Sequence, residues 1–298
     1  MKNSTFLKKA MRSTSEAVDK RLDKLLKTPR GAESQLFEAM RYSLFAGGKR
    51  LRPFLVVASA DLFEVDKSRA INVAVAIECI HTYSLIHDDL PAMDNDDLRR
   101  GKPTAHKAFG EAAAILAGDG LQTLAFEILS SPDTHRDANV RCELIMELAK
   151  ASGIHGMVGG QMIDLASEGE DLNIGEVTRL QQMKTGVLIA FSAEAGAILS
   201  KASKQKRQLL HGYARDLGLA FQITDDLLDY EGSPEETGKA TQKDAGRGKA
   251  TFVSLMGLER ARQQAEMLAK QAIEHLEDFG DKALLLRALA RYVLERRK

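Results

Sequence analysis

The scarcity of breaks along the chain is the feature that most restricts its fold. Among 298 residues there are only six prolines, and the stretches between them are rich in the good helix formers Ala, Leu, Glu, Lys and Met. Apolar residues recur at spacings of three and four, as in the segment 209–221. There is no sustained alternation of β-branched residues, which would indicate strands. The sequence therefore predicts an all-α fold, in which residues 1–298 form a single domain of helices around a central space.

The helix boundaries follow from this periodicity and from the breakers between helices. The predicted helices span residues 4–27, 33–46, 51–64, 68–90, 105–130, 136–151, 154–168, 174–200, 204–231, 250–278 and 280–296. Gly47-Gly48 and Gly101-Lys102-Pro103 are typical connections between such helices. Ser131 or Asp133 is expected to cap the helix that follows them.

Composition excludes several classes of function. Lysine plus arginine equals aspartate plus glutamate, 42 against 42, so nothing global favours nucleic acid or an anionic membrane surface. The N-terminal segment is charged, unlike a signal peptide, and no run approaches the roughly 18 apolar residues of a membrane span. Cys79 and Cys142 lie in apolar runs and are predicted to be buried, reduced thiols. These features predict a soluble cytoplasmic protein that binds neither nucleic acid nor membrane.

Two aspartate clusters interrupt the apolar pattern. The first contains Asp88, Asp89 and Asp94, and the second begins at Asp225, 137 residues after Asp88, and includes Asp229 on the same helix face. Aspartates at the C-terminal end of a helix meet the negative end of its dipole, at a cost of about 0.3–1 kcal/mol. Like charges so close together also repel one another. Each cluster is therefore predicted to require cations.

Magnesium is the cation that fits these clusters best. A calcium EF-hand is excluded, because the sixth position counted from Asp94 is Arg99 and the twelfth is Ala105. Zinc is disfavoured because no set of Cys and His accompanies the carboxylates. Magnesium binds a few carboxylates, keeps several waters and is completed by phosphate oxygens of a substrate. Two carboxylate clusters are therefore predicted to hold several Mg²⁺ ions over one phosphate group.

Basic residues accompany the acidic clusters along the sequence. They occur in a glycine-hinged loop at 47–52, at Arg99-Arg100, at Lys184-Thr185-Gly186 and in the loop 239–251, which contains Lys239, Lys243 and Lys249. Arginine grips phosphate bidentately and lysine acts as a mobile point charge. Together with two magnesium clusters, these groups predict a site for more than one polyphosphate.

In this order, the motifs resemble those of a known family. They are GGKRLRP at 47–53, DDLPAMDNDDLRRG at 88–101, GGQMIDL at 159–165, MKTG at 183–186, FQITDDLLD at 221–229 and KATQKDAGRGKAT at 239–251. The set covers most of the chain and is similar to that of short-chain isoprenyl diphosphate synthases, most closely the bacterial farnesyl diphosphate synthases. The four residues between Asp89 and Asp94 resemble the spacing in bacterial farnesyl and in geranylgeranyl enzymes.

The resemblance implies an isoprenoid (terpenoid) synthase helical bundle around a central active-site cavity, usually as a homodimer. The implied ligands of three Mg²⁺ ions are Asp88, Asp94 and Asp225, supported by Asp229 and Asp244. The implied contacts to the allylic diphosphate are Arg99, Lys184, Thr185, Gln222, Lys239 and Lys249. The implied contacts to isopentenyl diphosphate are Gly48, Lys49, Arg52, His81 and Arg100. The residues implied to be catalytic are Asp88, Asp89, Asp94, Arg99, Lys184, Asp225 and Lys239, and a further family motif contains Gln161 and Asp164.

The implied activity is a Mg²⁺-dependent, head-to-tail condensation of isopentenyl diphosphate with dimethylallyl and geranyl diphosphate, which yields (2E,6E)-farnesyl diphosphate and diphosphate. The growing hydrocarbon is expected to pass between apolar helices below Asp88, where Tyr83 and Ser84, about one turn away, would limit its length. A tyrosine at position 83 resembles farnesyl rather than geranylgeranyl synthases. The alternatives are a geranylgeranyl diphosphate synthase, a terpene cyclase and a non-catalytic partner subunit, the last disfavoured because both aspartate motifs are intact.

Overall fold

The structure is a computed structural model that describes residues 2–167, 169–231 and 250–295. The predicted site residues Lys239, Asp244 and Lys249 lie outside these described residues. The predicted all-α fold is confirmed, because helices make up nearly all of the regular structure in the described ranges. The helices are α1 (Lys2–Leu25), α2 (Ser34–Leu44), α3 (Leu51–Leu62), α4 (Lys67–Asp88), α5 (Ala105–Phe109), α6 (Glu111–Ser130), α7 (Ala138–Ser152), α8 (Met157–Ala166), α9 (Ile174–Gln181), α10 (Val187–Leu199), α11 (Lys204–Glu231), α12 (Phe252–Met256), α13 (Leu258–Glu274) and α14 (Leu284–Glu295).

Four shorter segments complete the described structure. A π-helical turn, Gln182–Gly186, joins α9 to α10, and a 3₁₀ segment, Glu277–Ala283, precedes α14. Two strands of two residues each, β1 (Leu98–Arg99) and β2 (Lys102–Pro103), pair antiparallel in a small hairpin after α4. This hairpin follows the first aspartate cluster directly, so it places the two arginines predicted to bind phosphate.

Glycines divide two of the predicted helices. Gly110 (φ 86°) separates α5 from α6 within the predicted helix 105–130, and Gly257 (φ 81°) separates α12 from α13 within 250–278. Glycine populates positive φ without steric cost, so it ends one helix and begins the next without a loop. The predicted helix 174–200 is likewise interrupted, because the π-helical turn separates α9 from α10.

The cap predicted for α7 is wrong. The helix begins at Ala138, several residues after Ser131 and Asp133, so neither side chain can reach its first turn. Asp137 caps it instead, and its carboxylate accepts a hydrogen bond from the backbone N–H of Asn139 at 2.9 Å. The side chain of an aspartate directly before a helix satisfies one of the N–H groups that has no partner within the helix.

Burial corrects one further prediction and accounts for two long apolar helices. Cys79 is buried as predicted, but Cys142 is exposed, because α7 buries only one of its faces. The helices α4 and α6 are each long and apolar enough to cross a membrane, judged by length and composition alone. Most of α4 is buried inside the bundle and α6 packs along it, as the core helices of globular proteins do.

The helices α3 and α10 connect two clusters of buried apolar residues. One cluster is formed mainly with α4, α6 and α7, the other with α11, α13 and α14, and both central helices contribute to each. They approach closely at Gly196, where an added Cβ would lie 2.6 Å from the Cα of Ala60. The backbone N–H of Gly196 also donates to the hydroxyl of Ser59 at 3.2 Å. Because α10 packs against both α4 and α11, it lies between the two helices that carry the aspartate clusters.

Candidate active site

The first aspartate cluster begins where α4 ends. This helix is apolar on nearly all sides, is capped by Asp66 at its N-terminus and stops at Asp88, shortly before Pro91. A proline cannot continue the helical hydrogen-bonding pattern. The chain folds back instead, and the backbone N–H of Asp94 donates to the carbonyl of Asp88 at 2.8 Å. The turn therefore brings two of the predicted metal ligands together.

Asp88 lies in a crowded and partly desolvated environment. Burial, together with the like charges of Asp94 and Asp89, raises the pKa of Asp88 to about 6, although Lys184 and Arg99 act in the opposite direction. A carboxylate that is desolvated among like charges gains stability in its charged form when further cations arrive. This is the environment expected of a site that is completed by a bound cation.

Asp89 holds the side chain of Arg99. The Nε of Arg99 lies 2.8 Å from each carboxylate oxygen of Asp89, and its Nη2 lies 2.5 Å from Oδ1. Asp89 is only 3% exposed, whereas part of the Arg99 side chain reaches the surface of the site. Charge-assisted pairs of this kind fix a guanidinium in direction as well as position. Asp89 therefore positions a cation, rather than being available as a metal ligand.

Lys184 is placed by the π-helical turn. Its Nζ lies 2.7 Å from Oδ2 of Asp164 on α8, which is 8% exposed. At Gly160 the backbone of α8 touches this turn, and an added Cβ would lie 2.6 Å from the Cα of Lys184. Both amide atoms of Gln161 are buried and make no hydrogen bond within the described ranges. Thr185 follows Lys184 on the turn and is half-buried.

The second aspartate cluster follows a close contact between α11 and the π-helical turn. An added Cβ at Gly218 would lie 3.6 Å from the Cα of Gly186, which is ordinary van der Waals contact. One turn further along α11, Gln222 lines a groove of about 150 Å³ that Gly186 also lines. Asp225 and Asp229 continue this face of the helix. They occupy the same helix as Gln222, as the sequence predicted.

Asp226, which lies between these two predicted ligands, has a structural partner. Its Oδ2 accepts a hydrogen bond from the backbone N–H of Phe252, the first residue of α12, at 2.8 Å. The carboxylate therefore supports the start of α12, a part of the chain 26 residues away. This contact orients Asp226 differently from Asp225 and Asp229, since consecutive residues of a helix project about 100° apart.

The basic loop between α2 and α3 contacts the β1–β2 hairpin. Gly47 (φ 94°) and Gly48 (φ 130°) adopt backbone conformations that favour glycine. Nη1 of Arg100 donates to the carbonyl of Gly47, and an added Cβ at Gly48 would lie 2.7 Å from the guanidinium carbon of Arg100. Lys49 follows as an exposed residue of the loop. The structure thus brings Gly48 and Arg100, two of the residues predicted to bind isopentenyl diphosphate, into direct contact.

His81 lies below this loop on α4. Burial, and then the positive charges of Arg52 and Arg100, hold the pKa of His81 well below its ordinary value. The imidazole is therefore neutral near pH 7, with one N–H to donate and one nitrogen to accept. A neutral donor next to several cations suits a diphosphate, because it adds a hydrogen bond without adding repulsion.

The predicted length-limiting residue, Tyr83, is buried on α4. Tyr83 is 5% exposed, and its ring packs edge-on against His87 with centroids 5.6 Å apart. His87 in turn lies against α6 at Gly118, where an added Cβ would lie 2.8 Å from its Cε1. The hydroxyl of Tyr83 is buried and makes no hydrogen bond within the described residues, and burial raises its pKa to about 12. Ser84 donates its hydroxyl to the carbonyl of His81 at 2.9 Å.

The donor chemistry of the site fits magnesium. Within the residues that the structure describes, no three Asp, Glu, His or Cys side chains are already gathered as a metal site. The predicted ligands are all carboxylates, the hard oxygen donors that Mg²⁺ prefers. Burial is the main cause of the raised pKa of Asp88, so a further cation would stabilise its charged form. Asp88 and Asp94 on one side and Asp225 and Asp229 on the other would therefore suit Mg²⁺ ions shared with a diphosphate.

Two residues near the site were missed by sequence reasoning. Arg50, inside the basic loop, and Glu78, in the apolar run of α4, form an ion pair in which both side chains are 3% exposed. A lone glutamate in a helix that is otherwise apolar is a signal that could have identified Glu78, because buried carboxylates require partners. The sequence did not identify which of the nearby arginines that partner is.

Comparison with known proteins agrees with this geometry. The family described as "Polyprenyl synthetase" matches residues 33–290. The chain is 49% identical over 270 residues to the farnesyl diphosphate synthase of Escherichia coli (strain K12), covering 88% of this chain and 89% of that protein. It is 46% identical over 289 residues to heterodimeric geranylgeranyl pyrophosphate synthase large subunit 1, chloroplastic, of Arabidopsis thaliana, covering 95% and 77%.

A solved structure shows that the fold is shared as well. An FPP/GFPP synthase from Zymomonas mobilis superimposes with a TM-score of 0.90 at 53% identity, over 97% of this chain and 99% of that chain. The resemblance predicted from the motifs is confirmed by these matches, which extend far beyond the motifs themselves. The chain therefore belongs to the polyprenyl synthetase family, and it is a prenyltransferase with the all-α isoprenoid synthase fold.

Proposed function

We propose that this prenyltransferase is a farnesyl diphosphate synthase. It condenses isopentenyl diphosphate with dimethylallyl diphosphate, and then with geranyl diphosphate, to give (2E,6E)-farnesyl diphosphate. The observation that carries this proposal is the arrangement at the end of α4, where Asp88, Asp94, Arg99 and Lys184 meet above a wall formed by Tyr83. The first four groups suit a diphosphate with its metal ions, and the tyrosine suits a product of limited length.

The proposed metal ligands are Asp88, Asp94 and Asp225, with Asp229 and Asp244 in support. Mg²⁺ bound there, with three ions per site expected, would supply positive charge to the departing diphosphate. Asp89 and Asp164 act differently, because each holds a cationic side chain in place. The carboxylates are thus divided into proposed metal ligands and groups that hold a cationic side chain.

Basic side chains of the protein are proposed to stabilise the negative charge of the departing diphosphate as well. Arg99 and Lys184 are held in fixed directions, so they stabilise negative charge as it develops on the allylic diphosphate when its C–O bond breaks. Thr185, Gln222, Lys239 and Lys249 are proposed to complete the contacts to that diphosphate. Because these groups are arranged before the reaction, little reorganisation is needed at the moment of bond cleavage.

The second substrate is proposed to bind at the basic loop. Gly48, Lys49, Arg52, His81 and Arg100 would hold the diphosphate of isopentenyl diphosphate, so that its double bond faces the allylic carbon. The double bond attacks that carbon, and the proton then lost from the new chain passes to the departed diphosphate, so no side-chain base is required. The apolar surfaces of α4, α6 and α10 exclude water, which would otherwise capture the allylic cation.

A geranylgeranyl diphosphate synthase is the second candidate. A specific observation favours it, because the geranylgeranyl relative is 46% identical over 95% of this chain. The two candidates share every residue of the proposed chemistry and differ only in how far the hydrocarbon extends. Tyr83, whose buried ring packs against His87, favours the shorter product.

The assembly and location of the enzyme are also proposed. The chain is expected to act as a soluble, cytoplasmic homodimer that binds neither nucleic acid nor membrane. Residues 1–298 are proposed to form one domain, since α3 and α10 contribute to both apolar cores. The substrates isopentenyl, dimethylallyl and geranyl diphosphate are then the only small-molecule partners that the proposed reaction needs.

Paired asparagine variants test the proposed role of the first cluster. Asp88→Asn should lower kcat at least about 100-fold in a condensation assay with isopentenyl and geranyl diphosphate, because it removes charge from the metal site. Asp97→Asn is the matched control, since Asp97 belongs to the same acidic stretch but is exposed and pairs with Lys107 at 2.8 Å. Its kcat should stay within about threefold of the parent value. Near-normal turnover by Asp88→Asn would contradict the proposal.

A further inference from the structure

Arg50 joins four elements at the base of the basic loop. It precedes α3 in a left-handed backbone conformation (φ 47°), and its side chain is 3% exposed. Its guanidinium donates to Oε1 of Glu78 on α4 at 2.5 Å and to Oδ1 of Asp19 on α1 at 2.9 Å. It also donates to the carbonyl of Leu44, the last residue of α2. One side chain therefore ties both ends of the loop between α2 and α3 to the rest of the bundle.

Glu78 is the buried carboxylate on which this arrangement depends. It lies within the apolar part of α4, one turn before His81, and its side chain is 3% exposed. A carboxylate in such surroundings is stable only when it is paired and hydrogen-bonded. Besides Arg50, it acts on Arg52 and Arg100, where its charge opposes the effect of burial on the pKa of both guanidinium groups.

The positive charges around Glu78 are only partly compensated. The Nε of Arg52 is buried and makes no hydrogen bond within the described part of the chain. The guanidinium of Arg100 packs against Gly48 and donates a hydrogen bond to the carbonyl of Gly47. Burial, together with the positive charges of Arg50 and Arg99, lowers the pKa of Arg100, and a bound diphosphate would relieve the repulsion between these charges. A carboxylate placed beneath them holds the cations together before the ligand arrives.

We propose that Glu78 is a positioning residue for the isopentenyl diphosphate site. Acting through Arg50, it anchors the basic loop, and through its charge it keeps Arg52 and Arg100 close enough to receive one diphosphate. Glu78 itself does not touch the substrate. This inference rests on the proposed function, because it assigns a role within the same site.

The competing explanation is that the pair serves stability alone. In that case removal of the carboxylate would lower the melting temperature without selectively weakening one substrate. Positioning predicts a different result, because displaced cations should raise the KM for isopentenyl diphosphate more than the KM for the allylic substrate. The two diphosphates bind to different cations, so the ratio of the two KM values separates the explanations.

The test uses Glu78→Gln, which keeps the shape of the side chain and removes its charge. The KM for isopentenyl diphosphate should rise at least about tenfold, since small displacements of positioning groups have large effects. The KM for geranyl diphosphate should change less than about threefold. Glu78→Asp, which restores the charge with a shorter reach, should recover part of the lost affinity. If Glu78→Gln does not fold, Glu78→Asp provides the test instead. Its KM for isopentenyl diphosphate should rise more than its KM for geranyl diphosphate.

Asp216→Asn is the matched control for the loss of a buried carboxylate. Asp216 is 3% exposed and pairs with Arg215 and His275, at 3.0 and 3.1 Å, away from the proposed site. This variant should lower the melting temperature while both KM values remain within about twofold of the parent. Equal changes in both KM values for the Glu78 variants, or none, would overturn the positioning role. Absence of condensation by the parent enzyme would instead contradict the proposed function, so the two failures are distinguishable.

Discussion

At the scale of single residues, Tyr83 is the proposed determinant of product length. Its buried ring packs against His87, and its hydroxyl makes no hydrogen bond within the described residues. The ring therefore acts by its volume and not by the polarity of its hydroxyl. One extended isoprene unit is comparable to a helical turn of about 5.4 Å, so removal of the ring would open room for about one more unit.

Replacement of Tyr83 separates bulk from polarity. Tyr83→Ala should extend the main product from C15 toward C20, because the wall between the two helices is opened. Tyr83→Phe should keep a C15 product, since only a hydroxyl without a hydrogen-bond partner is lost. Chromatography of the dephosphorylated products by chain length measures both outcomes. A C15-only product from Tyr83→Ala at an undiminished rate would show that the wall lies elsewhere.

A second residue-scale prediction concerns pH and stability. Nδ1 of His211 lies 2.6 Å from Oε1 of Glu194, and this hydrogen bond raises the pKa of His211 above its ordinary value. Because the folded pKa is the higher one, the stabilisation is fully present below the unfolded pKa of about 6.5. It is lost as the pH rises through the folded pKa.

Thermal unfolding at two pH values checks this linkage. Glu194→Gln should lower Tm by about 1–3 °C at pH 5.5 and have little effect at pH 9, a small change because the pair is partly exposed. Glu16→Gln is a suitable control, since its partner Arg12 stays charged throughout this range. A decrease for Glu194→Gln that is equal at both pH values would contradict the assigned pair.

At the scale of elements, the contact between α8 and the π-helical turn decides where Lys184 points. This contact has no room for a side chain at Gly160, because an added Cβ would meet backbone atoms of Lys184. Backbone atoms cannot move aside as the end of a flexible side chain can, so the two segments would have to separate. Lys184 would then lose its fixed direction relative to Asp164.

Two glycine variants of the same kind test this contact. Gly160→Ala should lower the free energy of unfolding by more than about 1 kcal/mol and lower kcat, because it displaces Lys184. Gly218→Ala should be tolerated in both respects, since its added Cβ would make only ordinary contacts at 3.6 Å. Chemical denaturation and steady-state kinetics measure the two effects. Equal changes in the free energy of unfolding and in kcat for the two variants would show that the α8 contact does not fix the position of Lys184.

The sequence predicted elements and candidate groups better than it predicted their junctions. The apolar runs that end in Asp88 and Asp225 were identified correctly as helices, because periodicity is a strong signal over long segments. The breaks at Gly110 and Gly257 were missed, since a glycine within a helical pattern is compatible with either outcome. The π-helical turn was also missed, because it arises from packing between segments rather than from local preference.

The sequence also did not predict which side chains of the site form pairs. Asp89 and Arg99 were both predicted to be functional, but their direct contact depends on the fold of the β1–β2 hairpin. Arg50 and Glu78 are 28 residues apart and belong to different elements, so no local pattern connects them. Motifs indicate which groups take part, whereas the geometry between them comes from tertiary packing.

At the scale of the whole molecule, the surface of α6, α7 and α8 is unusually apolar for an exposed face. Large apolar side chains on these helices and on the turn between α7 and α8 remain 43–74% exposed; they are Ile115, Leu116, Met146, Ile154, Val158 and Met162. The three helices pack in sequence, α6 on α7 and α7 on α8. Exposed apolar residues that are grouped in this way favour an interface between protein chains. The proposed homodimer would cover them.

Charged substitutions locate the proposed interface. Leu116→Glu should convert the dimer to a monomer, because it buries a charge in an apolar contact. Leu284→Glu on α14, which is 54% exposed in the parent, should leave the oligomeric state unchanged. Size-exclusion chromatography with light scattering measures both masses. A parent protein that is monomeric at micromolar concentration would contradict the homodimer.

Product analysis of the unmodified protein tests the central claim most directly. The purified chain is incubated with radiolabelled isopentenyl diphosphate and dimethylallyl diphosphate, once with Mg²⁺ and once with EDTA, and the products are resolved by chain length. A C15 product that forms with Mg²⁺ and disappears with EDTA is the predicted result. A C20 main product would contradict the proposed length, and condensation that is absent with Mg²⁺ would contradict the proposed activity itself.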